Sequence, residues 1–236
     1  MRVGVISEGR SDFAVLRNVV KAVAGLDRSD VDSIRPDLQV DETTRFAMAE
    51  RNFSNWQIVK RECEERESIR LYLENELDED RLVIVHLDTA ECDDPSYGVA
   101  RPSRDSSEYV DSCAAAVSDA IASWVGVELE ARVVAAVAVE ETEAWLLAYY
   151  DTNERADTGR VRDPKAAFDR KKSKWEPASL RKTTRHDSLE TYDEWSAPLR
   201  KVKNLRDAAK RNASLHRFAE ALSSSVDTLA PGTSRW

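Results

Sequence analysis

Residues 3–16 read VGVISEGRSDFAVL, and this stretch decides the fold class. Its first four residues form a short apolar run with β-branched side chains, the pattern of a buried strand, and it stops at Ser7-Glu8-Gly9. Beyond the glycine, Phe13, Leu16, Val20 and Val23 recur at helical spacing, with Ser11 or Asp12 placed to cap. A strand that turns directly into a helix is the repeating unit of an α/β sheet. In such open sheets ligands bind at the carboxyl ends of the strands. Glu8 stands at that point, so it is either a cap for the helix or part of a site.

The same unit recurs. RLVIVHLD (81–88) reads as a second strand and ends in Asp88. ARVVAAVAV (131–139) reads as a third and runs into EETEAWLLAYYD (140–151), a helix opening on Glu140, Glu141 and Glu143. Residues 26–43 are polar and broken, with DLQV (37–40) as a strand candidate. Residues 56–77 read as one long amphipathic helix, 89–107 as a loop, and 106–126 as a helix stopped by Gly126. Strands alternating with helices predict an α/β domain over residues 1–151, with a mostly parallel sheet flanked by helices. Residues 152–236 are expected to form a basic, mainly helical C-terminal region packed on it. Helices are expected from near Pro164, over 188–211 with an interruption at Pro198, and over 212–226; the tail DTLAPGTSRW (227–236) is expected to be frayed or loosely packed.

Composition narrows the function. No apolar run reaches the ~18 residues of a membrane helix, and no basic segment followed by a long apolar stretch marks secretion. Cys63, Cys92 and Cys113 fit neither a disulfide framework nor a zinc knuckle, so they read as reduced thiols in a cytoplasmic protein. The three histidines are scattered, so a metal would need oxygen ligands. Residues 1–159 carry 17 Lys/Arg against 34 Asp/Glu, and residues 160–211 carry 16 against 8. The acidic front repels nucleic acid unless cations intervene. The basic segment either contacts phosphates or forms solvated helix faces.

Parallel strands bring their carboxyl ends to one edge, so Glu8, Asp88, Glu140 and Glu143 can converge there. Carboxylates so gathered repel, and a divalent cation relieves them; all-oxygen ligands suit Mg²⁺ or Mn²⁺. Taken singly, each acid is as well explained as a helix cap. Phosphotransfer receivers and aspartate phosphatases also keep acids at strand ends, but nothing here marks Asp88 as a nucleophile.

Several fragments carry a family resemblance. EGRSD (8–12) resembles the E-G-x-[ST]-[DE] motif of Toprim domains, found in primases, topoisomerases and overcoming-lysogenization-defect nucleases. VIVHLDTAECDD (83–94) resembles their second motif, an Asp-x-Asp after a later strand. EETEAWLLA (140–148) and NASLHRFAEAL (212–222) resemble segments of RloB-like and related stand-alone bacterial Toprim proteins, in the family's order. The resemblance implies a Toprim-like Rossmannoid fold and a nuclease using Mg²⁺ or Mn²⁺. It implies that Glu8 is a metal ligand or the acid/base, that Asp88 is the first aspartate of the second motif and that Glu143 is a metal ligand, with Glu8 and Asp88 catalytic; Glu140, the other strand-end acid, is expected to face the same edge as a further ligand. Asp12 matches the second acid of EGRSD and is expected to shape the loop. The second-motif partner of Asp88 should be an aspartate, and this chain has Ala90. Glu91, Asp93 or Asp94 would then have to serve a second metal, or that site is missing.

Lys165 resembles the Pro-Lys element of these proteins; with Arg170, Lys171, Lys172 and Lys174 it forms the candidate nucleic-acid surface, for DNA or RNA. Trp145 and its leucine neighbours read as core, and His86 as a packed histidine on the Asp88 side of its strand. The family setting is bacterial defence against phage, commonly beside an ATPase partner. This chain has no phosphate-binding Gly-Lys loop of its own. A homo-oligomer is also allowed for. The alternative reading is a binding or regulatory subunit with a degenerate metal site.

Overall fold

The computed structural model describes residues 1–38, 55–74, 80–153, 156–177, 180 and 188–236. Among the described residues four strands form one sheet: β1 (Arg2–Ile6), β2 (Val31–Arg35), β3 (Arg81–Asp88) and β4 (Val133–Ala138). Their order is β2-β1-β3-β4 and every neighbouring pair is parallel, as the strand–helix alternation requires. The chain leaves β1 towards β2 on one side and β3 towards β4 on the other. The winding therefore reverses between β1 and β3.

Around the sheet lie α1 (Arg10–Ala24), α2 (Trp56–Glu65), α3 (Glu67–Leu73), α4 (Tyr109–Val125), α5 (Val127–Glu130) and α6 (Glu143–Tyr150). The C-terminal extension supplies α7 (Pro164–Trp175), α8 (Ser188–Ser196), α9 (Val202–Ala209) and α10 (Ala213–Leu229). Alternation along the strands sorts side chains into two cores. Val3, Val5, Leu82, Ile84, Val134 and Ala136 pack with α1, α6 and α10. Val83, Val85, Leu87 and Val137 pack with α2, α3 and α4 on the other face. Leu215, Phe218 and Leu222 of α10 are buried in the first core, and burial of each side chain contributes about 1.5–3 kcal/mol.

Three expectations change. The second strand lies at Val31–Arg35, not at 37–40; Asp37 and Leu38 are outside any strand, and residues 39 and 40 lie outside the described residues. The helix over 56–77 is two helices, broken at Arg66, whose φ of 62° is left-handed; residues 75–77 lie outside the described residues. The tail is held rather than frayed: the Arg235 N–H donates to the Val23 carbonyl at 2.7 Å, and α10 runs on to Leu229. Among the described residues no helix is long and apolar enough to cross a membrane.

Candidate active site at the carboxyl edge of the sheet

The site grows from the end of β1. The Ser7 N–H donates to the Arg35 carbonyl at 3.0 Å, which prolongs the pairing with β2 and turns Glu8 out at the edge. Gly9, rather than Ser11 or Asp12, is the residue that starts α1, with no side-chain cap. A Cβ at Gly9 would lie 3.0 Å from Asp12 Oδ2, so its absence gives the Asp12 carboxyl room to fold over the first turn. Glu8 Oε1 accepts the backbone N–H of Asp88 at 3.0 Å. The backbone N–H of Trp56, at the start of α2, also favours the Glu8 carboxylate. Asp88 Oδ1 in turn accepts the N–H of Ala90 at 3.0 Å, and the Tyr97 hydroxyl donates to the Asp88 carbonyl at 3.0 Å. The two sequence-predicted acids thus meet where the winding of the sheet reverses.

Electrostatics at this edge is unfavourable to bare carboxylates. Burial pushes Glu8 up to about 8, with repulsion from Asp12 and Glu91 adding to it and the two backbone N–H groups opposing. Burial, then Glu8 and Asp12, hold Asp88 well above the usual carboxylate range. Asp12 is raised by burial, against a hydrogen bond of 2.8 Å from Thr142 Oγ1. Glu143 is raised by burial, against a hydrogen bond from the Tyr192 hydroxyl. Glu141 is raised by burial too, and its Oε2 accepts the Lys165 N–H at 2.9 Å. The Lys165 ammonium eases Asp12, Glu141 and Glu143 together.

The remaining sequence-predicted residues divide. Glu143 joins the edge through Asp12. Glu140 does not: it is 4% exposed, adopts a φ of 67°, and its carboxylate is taken by Arg101 at 3.1 Å, Arg104 at 2.6 Å and the Tyr109 hydroxyl. Two guanidinium groups already balance its charge, so we leave it out of the ligand set. Lys171 pairs with Asp151 and Lys172 with Asp169, while Arg170 and Lys174 are exposed. His86 is fully buried and burial pushes it down to about 3, so it is neutral. Its Nε2 lies 3.3 Å from Thr142 Oγ1, and its ring meets Trp145 edge-on at 5.9 Å. Thr142 and Tyr192 escaped the sequence reading. Thr142 sits among three glutamates, and Tyr192 reaches the edge from 49 residues further on, with no local pattern to mark either.

Compared with protein-family models, with curated proteins and with solved structures, the chain matches none. The chemistry of the edge therefore rests on its own residues. Among the described residues no three Asp, Glu, His or Cys side chains stand grouped to hold a metal ion. Glu8 and Asp88 nonetheless offer hard oxygen donors whose burial and mutual repulsion a cation would relieve. Mg²⁺ typically takes one or two carboxylates and fills its shell with water and substrate phosphate, so this pair fits it.

Proposed function

We propose that the carboxyl edge is a Toprim-type phosphodiesterase site that cleaves nucleic acid with Mg²⁺ or Mn²⁺. The observation that carries this reading is the 3.0 Å bond from the Asp88 N–H to Glu8 Oε1 at the reversal of the sheet. Glu8 and Asp88 would hold the ion, which supplies charge neutralisation at the phosphate and acidifies bound water. The chain's own groups do the rest. Lys165 offsets Asp12, Glu141 and Glu143, so that an incoming phosphate meets less negative charge. Thr142 fixes the Asp12 carboxyl, and neutral His86 packs beneath Thr142. Phage defence, a cytoplasmic setting and an ATPase partner extend this proposal through the resemblance.

The purified chain, incubated with DNA, RNA and tRNA, should cleave with Mg²⁺ or Mn²⁺ and stop with chelator. Glu8→Ala and Asp88→Ala should each abolish cleavage; activity surviving both substitutions would refute the site. One observation favours the second reading, a binding or regulatory subunit. Ala90 stands where a second aspartate is expected, and its backbone serves the loop, donating to Asp88 and accepting from Arg101 at 3.1 Å. No cleavage with any substrate, together with no calorimetric heat on adding Mn²⁺, would select that reading.

A further inference from the structure

The strongest unassigned feature lies on the C-terminal helices. Helical spacing puts Lys203, Arg206 and Lys210 in one row along α9 and its continuation. Asn204, Asp207 and Arg211 form the neighbouring row. A cavity of about 470 Å³ opens on the first row, lined by Arg206, Lys210, His216 and Trp236 and also by Asp157, whose carboxylate is engaged by the N–H groups of Gly159 and Ala213. A second of about 520 Å³ opens on the other, lined by Tyr149, Tyr150, Trp175, Asn204, Asp207 and Arg211. Each therefore combines aromatic rings with basic side chains, on either side of one ridge.

The ridge is strongly positive: residues 201–211 carry five Lys/Arg against Asp207 alone. Lys201 and Lys203 are exposed and make no salt bridge among the described residues. Arg211 spends its Nε on the Ala148 carbonyl at 2.6 Å, and among the described residues its terminal nitrogens make no hydrogen bond. In the second cavity Tyr150 and Trp175 stack at 5.6 Å with an interplanar angle of 20°, and Tyr149 meets Tyr150 edge-on at 4.8 Å. In the first, the Arg206 guanidinium lies 5.9 Å from the centre of the Trp236 ring. Lys210 is paired with Asp207 at 2.9 Å, as Lys171 and Lys172 are with Asp151 and Asp169, so Lys201 and Lys203 are the ridge lysines without an acidic partner among the described residues.

We propose that the α9 ridge binds single-stranded nucleic acid, with the backbone running over the lysines and bases entering the two aromatic cavities. A basic track flanked by stacking rings is what single strands require, because their bases are free to splay out. A duplex keeps its bases stacked away from such cavities, and a run of acidic side chains alone has no flat rings to place in them. The site goes beyond the cleavage reading and needs no metal. Its position suits that reading all the same. Helix α6 runs from Glu143 at the acid edge to Tyr150 at the cavity, eight residues or about 12 Å.

Fluorescence anisotropy tests it on the full chain in EDTA, where any metal-dependent cleavage is silent. The probes are labelled 20-mers of dT and of U, a 20-bp duplex, and an oligo-glutamate competitor. Both single strands should bind at least ten times more tightly than the duplex and should resist the oligo-glutamate. Lys203→Ala should lower the slope of log affinity against log salt by about 0.7. Tyr149→Leu and Trp175→Leu should each weaken binding by about 5- to 150-fold, the range of a lost base stack. Where a ring variant fails to fold, the exposed Lys203→Glu carries the test, with a loss of tenfold or more. Equal affinity for duplex, displacement by oligo-glutamate, or unchanged binding by folded ring variants would each overturn the proposal. A difference in affinity between dT and U would support it and rank DNA against RNA.

Discussion

Arg101→Ala should destabilise the protein and loosen the loop that follows Asp88. The guanidinium of Arg101 donates to Asp93 at 2.8 Å, the Tyr109 hydroxyl at 2.9 Å, Glu140 at 3.1 Å, and the carbonyls of Thr89 and Ala90 at 2.7 and 3.1 Å. One side chain thus ties residues 89 and 90 to the start of α4 and to the end of β4. Its side chain is 14% exposed and that of Glu140 is 5%, so this is a buried network. Removing one partner from a buried ion pair costs about 3–5 kcal/mol when the surviving charge is left alone. Glu140 keeps Arg104 and Tyr109, which brings the expected loss down to about 2–3 kcal/mol. For a chain of this size that lowers Tm by about 4–12 °C. Thermal denaturation followed by circular dichroism measures it. Glu140→Gln in the Arg101→Ala background should cost at least about 1 kcal/mol less than in the native chain, because the two share one network. A Tm shift below about 2 °C, or strictly additive effects, would refute the claim that Arg101 holds the loop through Glu140.

Asn212→Ala should cost about 2–3 kcal/mol in urea denaturation, since Asn212 caps α10 at Leu215 and also bonds Ser214 and Thr158; a loss under 1 kcal/mol would count against the network. Glu8→Ala and Asp88→Ala should each remove the heat of Mn²⁺ binding while leaving the far-ultraviolet spectrum intact; binding that persists in both would move the ion elsewhere. Burial pushes the Cys63 thiol up to about 12, and Cys92 and Cys113 are buried as well. At pH 8 Ellman's reagent should therefore label no thiol within minutes in the native protein and all three after denaturation, and rapid labelling of even one would show that a thiol is accessible.

The sheet was legible because its strands are apolar runs bounded by acids and by glycine. β2 was not. Its sequence VDSIR puts Asp32, Ser33 and Arg35 on an edge strand where only Val31 is buried, so no apolar run announces it. The break between α2 and α3 was equally hidden. Arg66 adopts a conformation usually left to glycine, and its guanidinium lies where a Cβ on Gly126 would fall. The site was legible as far as topology reaches. Parallel strands and a reversal between β1 and β3 suffice to bring Glu8 to Asp88. Glu140 was read with them because it ends β4, yet its left-handed φ accompanies a carboxylate held by two arginines from the preceding loop. Such pairings between distant residues leave no periodicity. The same holds for the tail, whose anchor on Val23 is visible only once α1 and α10 are in place.

The place of α10 has a consequence for how the molecule comes into being. Ser214 accepts the indole N–H of Trp145 at 3.0 Å, and Phe218 stacks on that indole at 5.6 Å. The same helix covers β4 and α1. A nascent chain therefore completes these four strands while one face of the sheet is covered by α1 but still lacks α6 and α10. Contacts of such sequence separation form late, since loop closure must come first. At the acid edge, Tyr192 reaches Glu143 from 49 residues further along the chain, so that hydrogen bond waits for α8. The edge thus has two parts: Glu8 and Asp88, which the sheet alone brings together, and Glu143, whose hydroxyl partner comes from the C-terminal helices.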